Sequence, residues 1–419
     1  MDIIEDLKRK ILVFDGGMGS LLQARGLPQG ESPSEANLSM PDAVISIHKE
    51  YVDAGADVLT TNTFDLSSAR SKAETVAAAA KNCLEAIRLA NPGREVHVAF
   101  DIGPSSRLLE PLGDLPAQEL EDELKELAIV AKNAGCDLAL LETMTDPREV
   151  KAAILAAKAA GLPVVSTMTF DRGGRTLMGT DPKSFSILAE SLGAVLIGQN
   201  CGFGPDTALE ILPEFMGSGV PVLAQPNAGL PEVVDGAVRY SVTPDEFAGF
   251  ARELCLAGAA AIGGCCGTTP AHIKAAAGAV SDLPPAVPKG LLGKKVSSGS
   301  ITADLGEVEP EWVLSGSDPE VAKACEDLSF DDLAGIALDS EAEILGIDLS
   351  MMPNEDELLP HLIMAVQEVS RTPIVFAAKS PIAARKALKA CCGRPGVKIL
   401  GPEREGVAKE AAEFGALEI

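Results

Sequence analysis

The feature that most constrains the fold of this sequence is an alternation of short apolar runs with longer amphipathic, alanine-rich segments. The pattern occurs eight times between residues 11 and 280. The short runs have the length and composition of buried parallel strands, and the segments between them have helical periodicity. The predicted strands are residues 11–17, 57–64, 96–103, 137–143, 163–170, 194–201, 221–229 and 260–267. Eight β/α units predict an α/β protein with a (β/α)₈ TIM barrel.

Helix boundary signals support this interpretation. A proline stands at or near the first turn of four predicted helices, each beside a serine, threonine or aspartate that can cap the helix. The predicted helices are residues 43–54, 67–89, 119–134, 147–160, 182–192, 206–216, 244–257 and 270–280. An open doubly wound sheet is the alternative architecture, but eight evenly spaced units favour closure.

The charge and the cysteine content exclude several classes of function. The formal net charge of −26 argues against nucleic-acid partners and anionic membranes, because both attract basic surfaces. The acidic N-terminal residues lack the features of a signal peptide, and no apolar run has transmembrane length. Nine cysteines, an odd number, suit reduced thiols better than a disulfide framework. We therefore expect a cytoplasmic globular protein.

Two adjacent cysteines, Cys265 and Cys266, end the eighth predicted strand among glycines, and Cys201 ends the sixth before another glycine. The carboxyl ends of barrel strands meet at one face, so these thiols can converge with Asn227, which ends the seventh strand. Three cysteine ligands with an open fourth position are typical of catalytic zinc. Packing of the cysteines as small hydrophobic residues is the alternative.

Further motifs follow several of the predicted strands. They include Phe14-Asp15-Gly16-Gly17-Met18-Gly19, Asp101-Ile102-Gly103-Pro104, Leu141-Glu142-Thr143, Pro226-Asn227-Ala228-Gly229 and Gly263-Gly264-Cys265-Cys266-Gly267-Thr268-Thr269-Pro270. In this order the motifs resemble the homocysteine S-methyltransferase family. That family includes the homocysteine module of cobalamin-dependent methionine synthases and the betaine-homocysteine methyltransferases. The resemblance extends from about residue 10 to residue 281.

The resemblance implies that Cys201, Cys265 and Cys266 bind one Zn²⁺ ion and that the sulfur of homocysteine takes the fourth position. It also implies that the Asn227 side-chain oxygen can fill that position before the substrate binds. A free thiol has a pKa near 8.5 and reacts as the thiolate, so coordination to zinc makes the substrate sulfur a nucleophile.

Contacts to the rest of the substrate are implied by the same resemblance. Glu142 matches the carboxylate that receives the amino group of homocysteine. The loop with Asp15, Gly17 and Met18 matches the backbone donors that bind its carboxylate. Each residue also has a structural alternative. In these alternatives Glu142 forms an ion pair, Asp15 holds a tight turn, and Asn227 hydrogen-bonds backbone groups of its own turn.

A second segment follows the predicted barrel. We expect a barrel domain over residues 1–285, a linker over 286–300 that is rich in proline, lysine, glycine and serine, and a small acidic α/β domain over 301–419. Residues 343–348 and 387–395 resemble, in part, pieces of the pterin-binding barrel of methionine synthases. The segment is too short for a second barrel, and we interpret it as a truncated remnant for docking, homodimerisation or covering the barrel.

The expected function is therefore zinc-dependent methyl transfer to the thiolate of homocysteine to give methionine. The truncated pterin-like segment favours a methylated corrinoid protein, carrying methylcobalamin, as a donor supplied in trans. A small donor such as S-methylmethionine or betaine is the enzymatic alternative. A non-catalytic zinc or thiol-binding scaffold is the alternative of another class.

Overall fold

The computed structural model describes residues 2–28, 30–234 and 237–419. Eight parallel strands form one sheet in the order β1-β10-β7-β6-β5-β4-β3-β2, and a bridge between Phe14 and Val58 joins its two ends. The predicted (β/α)₈ barrel is thereby confirmed. The strands of this part of the chain are β1 (Leu12–Val13), β2 (Val58–Thr60), β3 (His97–Ile102), β4 (Leu138–Met144), β5 (Val164–Met168), β6 (Leu196–Cys201), β7 (Val222–Pro226), β8 (Pro231–Val234), β9 (Ala237–Tyr240) and β10 (Ala261–Ile262).

Helices alternate with these strands and surround them. Proline begins several of them, and side-chain caps such as Asp146 and Thr243 fix where those helices start. The sequence did not predict the first three helices, which are short. The helices are α1 (Ile3–Leu7), α2 (Gly19–Ala24), α3 (Ala36–Ser39), α4 (Pro41–Asp53), α5 (Lys72–Ala90), α6 (Ala117–Ala134), α7 (Pro147–Ala159), α8 (Pro182–Ser191), α9 (Pro205–Ile211), α10 (Pro244–Leu256) and α11 (Pro270–Val280).

The interior of the barrel changes from apolar to polar along the strands. One buried cluster fills its lower part and includes Ile3 and Leu7 of α1 together with inward-facing strand residues. Side chains alternate along a strand, so the next inward positions lie two residues further on. There, or one such step further, the chain has polar residues, and their buried or half-buried side chains form the floor of an opening at the carboxyl ends of the strands. These residues are Thr60, Asp101, Glu142, Thr167, Asn200 and Gln225.

A hairpin that the sequence did not predict lies between β7 and α10. Its strands β8 and β9 pair in antiparallel register, with Pro231 opposite Tyr240. The hairpin places Tyr240 next to the carboxyl end of the barrel.

The C-terminal segment is the small α/β unit that the sequence predicted. Strands β11 (Lys295–Ser297) and β12 (Thr302–Asp304) pair antiparallel, and five parallel strands follow in sequential order. Trp312 on the first of these five lies against Lys398, whose ammonium nitrogen is 4.6 Å from the ring centre. The remaining elements are β13 (Glu311–Ser315), β14 (Leu345–Asp348), β15 (Ile374–Ala378), β16 (Gly396–Ile399), β17 (Leu417–Glu418), α12 (Pro319–Glu326), α13 (Phe330–Asp339), α14 (Glu355–Val369), α15 (Pro381–Ala390) and α16 (Arg404–Glu413).

Helix α7 of the barrel contacts the C-terminal unit through a buried lysine. The ammonium group of Lys151 donates hydrogen bonds to the carbonyls of Leu388 and Cys391, at 2.5 and 2.6 Å, at the end of α15. Burial lowers the pKa of this lysine.

None of the helices in the described residues has both the length and the apolar character needed to cross a membrane.

Candidate metal centre

Three cysteines come together at the carboxyl end of the barrel. The sulfurs of Cys201, Cys265 and Cys266 all lie within 4.8 Å of one another. Cys201 is the last residue of β6 and has φ of +61°, a left-handed conformation that is rare outside glycine and turns its side chain toward the other two. Within the described residues, this is the only group of three or more potential metal ligands.

Hydrogen bonds across neighbouring strands hold the two cysteine-bearing loops together. The Asn227 amide donates to the Gly202 carbonyl at 2.8 Å, and its oxygen accepts the Cys266 N–H at 3.0 Å. Asn227 therefore bridges the loop after β6 and the loop after β10. In this conformation its oxygen is bound to the Cys266 N–H.

Asn200, one residue before Cys201, forms a second network beneath the sulfurs. Its oxygen accepts the Thr143 N–H at 2.7 Å and the Thr167 hydroxyl at 2.8 Å. Its amide donates to the Thr143 hydroxyl at 2.8 Å and to the Cys265 sulfur at 3.9 Å. The sequence analysis assigned no role to Asn200, because these contacts join strands that are far apart in the chain.

The three thiols shift one another's pKa values. Hydrogen bonds from Cys265 and Cys266 lower the pKa of Cys201, whereas the bond to Cys201 raises the pKa of Cys265 and of Cys266. Tetrahedral Zn²⁺ with bonds of about 2.3 Å to sulfur would hold the sulfurs about 3.8 Å apart. The observed donor set and spacing fit such an ion after a small contraction.

Two carboxyl groups lie beside the cysteines, and both have raised pKa values. Glu142 is half-buried in β4, where the pairing with β5 shifts register between Leu141 and Met144. Burial, followed by the charges of Asp15 and Cys201, raises the pKa of Glu142 to about 8. Asp15 is buried, and its oxygens accept the Thr60 N–H and hydroxyl, both at 2.8 Å. Burial raises its pKa to about 7 although these bonds oppose the shift.

A third carboxyl group, Asp101, extends this cluster deeper into the barrel. Its side chain is 2% exposed, and its buried Oδ1 has no hydrogen-bond partner among the described residues. Burial and the neighbouring Glu142 and Asp15 raise its pKa well above the usual range. Buried carboxylates without partners are rare in folded proteins, so this group favours a cationic neighbour or a proton.

The loop after β1 lies against the loop that carries the cysteine pair. The Gly17 N–H donates to the Thr268 hydroxyl at 3.1 Å, and the Gly17 carbonyl accepts the Tyr51 hydroxyl at 2.7 Å. A side chain at Gly17 would be crowded, since a Cβ would lie 3.0 Å from the Cys265 carbonyl oxygen. Met18 immediately precedes α2 and is half-buried.

Tyr240 covers the cysteine pair from the side of the hairpin. Its ring lies directly on Gly267, where an added Cβ would be 2.1 Å from the ring carbon Cγ. Burial raises the pKa of Tyr240 to about 12, and Cys266 contributes through its charge and through a hydrogen bond with the hydroxyl. The sequence analysis did not identify Tyr240, because its role depends on the hairpin.

The model of the homocysteine S-methyltransferase family matches residues 12–280, which include the whole barrel and all three cysteines. The chain belongs to the homocysteine S-methyltransferase family. The resemblance inferred from the strand-end motifs is thereby confirmed.

Relatives of this methyltransferase family member include two methionine synthases. The one from Mycobacterium tuberculosis is 34% identical over 313 residues, and the one from Mycobacterium leprae is 32% identical over 309 residues. Each alignment covers 67% of this chain but only 26% and 25% of the respective relative. The chain thus spans about a quarter of the length of these curated relatives.

Solved structures with a similar fold include the homocysteine methyltransferase MmuM from Escherichia coli. Its metallated form has a TM-score of 0.54 and 21% identity, with 65% of this chain and 97% of that chain covered. Its apo form has a TM-score of 0.53 and 22% identity over the same shares. This likeness supports the fold of the barrel.

Proposed function

We propose that this protein is a zinc-dependent methyltransferase that transfers a methyl group to the thiolate of homocysteine and forms methionine. The observation that carries the proposal is the convergence of the Cys201, Cys265 and Cys266 sulfurs within 4.8 Å at the strand ends of a homocysteine S-methyltransferase barrel. Three protein sulfurs leave a tetrahedral zinc ion one position for a substrate sulfur.

In this proposal the three cysteines bind the metal, and hydrogen bonds made by Asn200 and Asn227 hold the cysteine loops in position. A bound Zn²⁺ ion would favour the thiolate form of the substrate at neutral pH. Asn227 fixes the spacing of the two cysteine loops through Gly202 and Cys266. Such outer contacts orient metal ligands and tune their basicity.

The carboxyl groups beside the cysteines suit the ammonium group of an amino acid. Glu142 is half-buried at the opening, and Asp101 lies deeper with an unpartnered oxygen. An ammonium ion bound here would offset the cost of burying these groups, because a charge-assisted hydrogen bond is stronger than a neutral one. We further propose that backbone N–H groups of the Gly17–Met18 loop bind the substrate carboxylate.

We propose a methylated corrinoid protein, acting in trans, as the methyl donor. The support is the identity to methionine synthases, of which this chain spans about a quarter. The C-terminal unit would then contribute to docking or to a homodimer contact. All nine cysteines are free thiols, which supports a reducing compartment such as the cytoplasm.

The test is methionine formation by the zinc-loaded protein from homocysteine, with methylcobalamin, S-methylmethionine, betaine and methyltetrahydrofolate supplied in parallel. Turnover with methylcobalamin supports the corrinoid donor. Turnover with only one small donor would mean that this molecule, and not a corrinoid protein, is the methyl donor. The assignment as a homocysteine methyltransferase would stand. Absence of both homocysteine binding and turnover would favour a scaffold.

Two variants separate metal binding from substrate recognition. Cys265→Ala should lose zinc together with homocysteine binding. Glu142→Gln should retain zinc and bind homocysteine about 10- to 100-fold more weakly, since a charged hydrogen bond contributes about 1.5–3 kcal/mol. The same variant should bind 4-mercaptobutanoate, which lacks the amino group, as the wild type does. Equal weakening for both thiols would contradict the role of Glu142.

A further inference from the structure

A cavity of about 100 Å³ lies outside the barrel wall, behind strand β3. This β3 cavity is bounded by the outer side of β3, by helices α5 and α6 and by the loops that follow β2 and β3. Side chains alternate along a strand, so Phe100 and Ile102 face the cavity while Asp101 between them faces the barrel interior. The β3 cavity is therefore separate from the cysteine site, but it shares a strand with the carboxyl cluster beside the cysteines.

Most of the wall of the β3 cavity is apolar. Leu120, Leu124 and Leu127 are spaced so that they lie on one face of α6, and Met144 at the end of β4 adds to the same wall. Covering apolar surface of this kind with an apolar group is favourable in water. An apolar cavity of about 150 Å³ can hold benzene, so this one has room for an unbranched chain of about four carbons.

Charged side chains of both signs line the same cavity. Lys72, the first residue of α5, forms an ion pair with Glu123 of α6. Their side chains are 38% and 42% exposed, so the pair contributes little to stability and can be exchanged for contacts with a ligand. Glu149 is only 7% exposed and accepts a hydrogen bond from the Ser105 N–H. Burial raises its pKa to about 7, and a cation beside it would favour the ionised form.

This arrangement suits a zwitterion that carries an apolar side chain. The carboxylate of such a ligand would meet Lys72, and its ammonium group would meet the carboxyl groups of Glu123 and Glu149. A further charged residue of the lining, Arg107, is held by Asp114 and Glu119.

We propose that the β3 cavity is a binding site for an α-amino acid with an unbranched apolar side chain. The side chain enters between β3 and α6, and the charged head group replaces the Lys72–Glu123 ion pair at the rim. The inference goes beyond the proposed function, because it assigns the protein a second ligand site that takes no part in methyl transfer.

The experiment is a calorimetric titration of the full-length, zinc-loaded protein with norleucine and, separately, with n-pentylamine, which lacks the carboxylate. Lys72→Gln should weaken norleucine binding about 10-fold, because the carboxylate loses a charged partner, and should not weaken the binding of n-pentylamine. Lys81→Gln is the matched control, since Lys81 lies on the same helix at an exposed position outside the cavity. It should bind norleucine as the wild type does.

Two further variants distinguish the β3 cavity from the proposed substrate site. Leu124→Phe places a larger side chain in the cavity and should weaken the binding of both ligands about 10-fold. Glu142→Gln, in the barrel opening, should bind norleucine as the wild type does.

The proposal would be overturned if the wild type did not bind norleucine, or if the wild type, Lys72→Gln and Leu124→Phe bound it equally well. Loss of norleucine binding in Glu142→Gln would place the ligand in the barrel opening and would also overturn it. None of these results depends on turnover, so a failure of the proposed methyl transfer would be recognised separately.

Discussion

At the scale of single residues, two strand ends have unusual backbone conformations. Thr143 and Cys201 both have positive φ, of +60° and +61°, and both lie at the opening of the barrel. Such conformations are disfavoured for residues other than glycine and persist where surrounding contacts impose them. Here Asn200 binds both the N–H and the hydroxyl of Thr143 and immediately precedes Cys201. One buried asparagine thus supports two strained positions.

The bridge made by Asn227 should be measurable as metal affinity. Asn227→Ala removes its hydrogen bonds to Gly202 and Cys266, so the two cysteine loops lose a direct link. We expect zinc affinity, measured by chelator competition, to fall about 10- to 100-fold. Asn62→Ala is the matched control, since Asn62 is also buried at a strand end but donates to the Pro33 carbonyl. Similar losses in both variants would mean that the effect is general destabilisation.

The sequence pointed to those candidate residues that stand in short local motifs. It missed the residues whose contacts join segments far apart in the chain. The family resemblance and the glycine setting sufficed to identify the three cysteines, which the structure brings together. The roles of Asn200 and Tyr240 could not be predicted, because each depends on which strands or loops become neighbours. Zinc binding by the cysteines and all the substrate contacts that the resemblance implies stay predictions.

At the scale of elements, glycine leaves no room for a side chain between strands β6 and β7 of the barrel. A Cβ added to Gly198 in β6 would lie 1.9 Å from the Leu223 carbonyl oxygen of β7. Gly198→Ala should therefore force the two strands apart and lower the free energy of unfolding by about 3 kcal/mol. Urea denaturation measures the change.

The matched control for this substitution is Gly278→Ala. Gly278 lies inside α11, and an added Cβ there meets nothing within 4 Å. Alanine should stabilise the protein by about 0.5–1 kcal/mol, because glycine is the poorer helix former. Equal effects at both positions would contradict the packing argument.

Element prediction succeeded where periodicity was long and failed where structure depends on tertiary contacts. The predicted helix over residues 270–280 matches α11, and that over 147–160 ends one residue beyond α7. The hairpin β8–β9 and the short helix α1 were missed. Alpha1 has only five residues, and it packs its apolar side chains Ile3 and Leu7 against the lower end of the barrel interior. Short elements carry too few periodic positions to be recognised from sequence.

At the scale of the whole molecule, buried carboxyl groups should make stability depend on pH. Burial raises the pKa of Glu149 to about 7, despite a hydrogen bond from the Ser105 N–H. The folded state then holds a proton that the unfolded chain releases above about pH 4.5. The protonated Glu149 side chain therefore contributes to the free energy of unfolding at lower pH. This contribution, up to about 3 kcal/mol, is lost as the pH rises through 7.

Glu149→Gln removes this titration and should flatten the pH dependence. Between pH 5 and pH 8 the wild type should lose more unfolding free energy than the variant, as measured by urea denaturation at each pH. Glu126→Gln, at an exposed position on α6, is the control and should follow the wild type. A parallel decline in all three proteins would show that Glu149 is ionised in the folded state.

The contact between barrel and C-terminal unit can be tested at Lys151. Lys151→Met keeps most of the side-chain volume but leaves the Leu388 and Cys391 carbonyls without their donor. We expect faster proteolytic cleavage within residues 286–300, because the unit is held less firmly. Lys125→Met, at an exposed position on α6, should leave the cleavage rate unchanged. Equal cleavage rates in the wild type and both variants would mean that other contacts hold the C-terminal unit against the barrel.

The distribution of aromatic residues has an optical consequence. The only tryptophan, Trp312, lies in β13 beside Lys398, whereas the two tyrosines belong to the N-terminal segment that contains the barrel. Tryptophan emission therefore comes from the C-terminal unit alone, and tyrosine emission comes from the N-terminal segment. The two halves of the molecule carry separate intrinsic fluorophores, so their folding can be followed independently in one sample without any label.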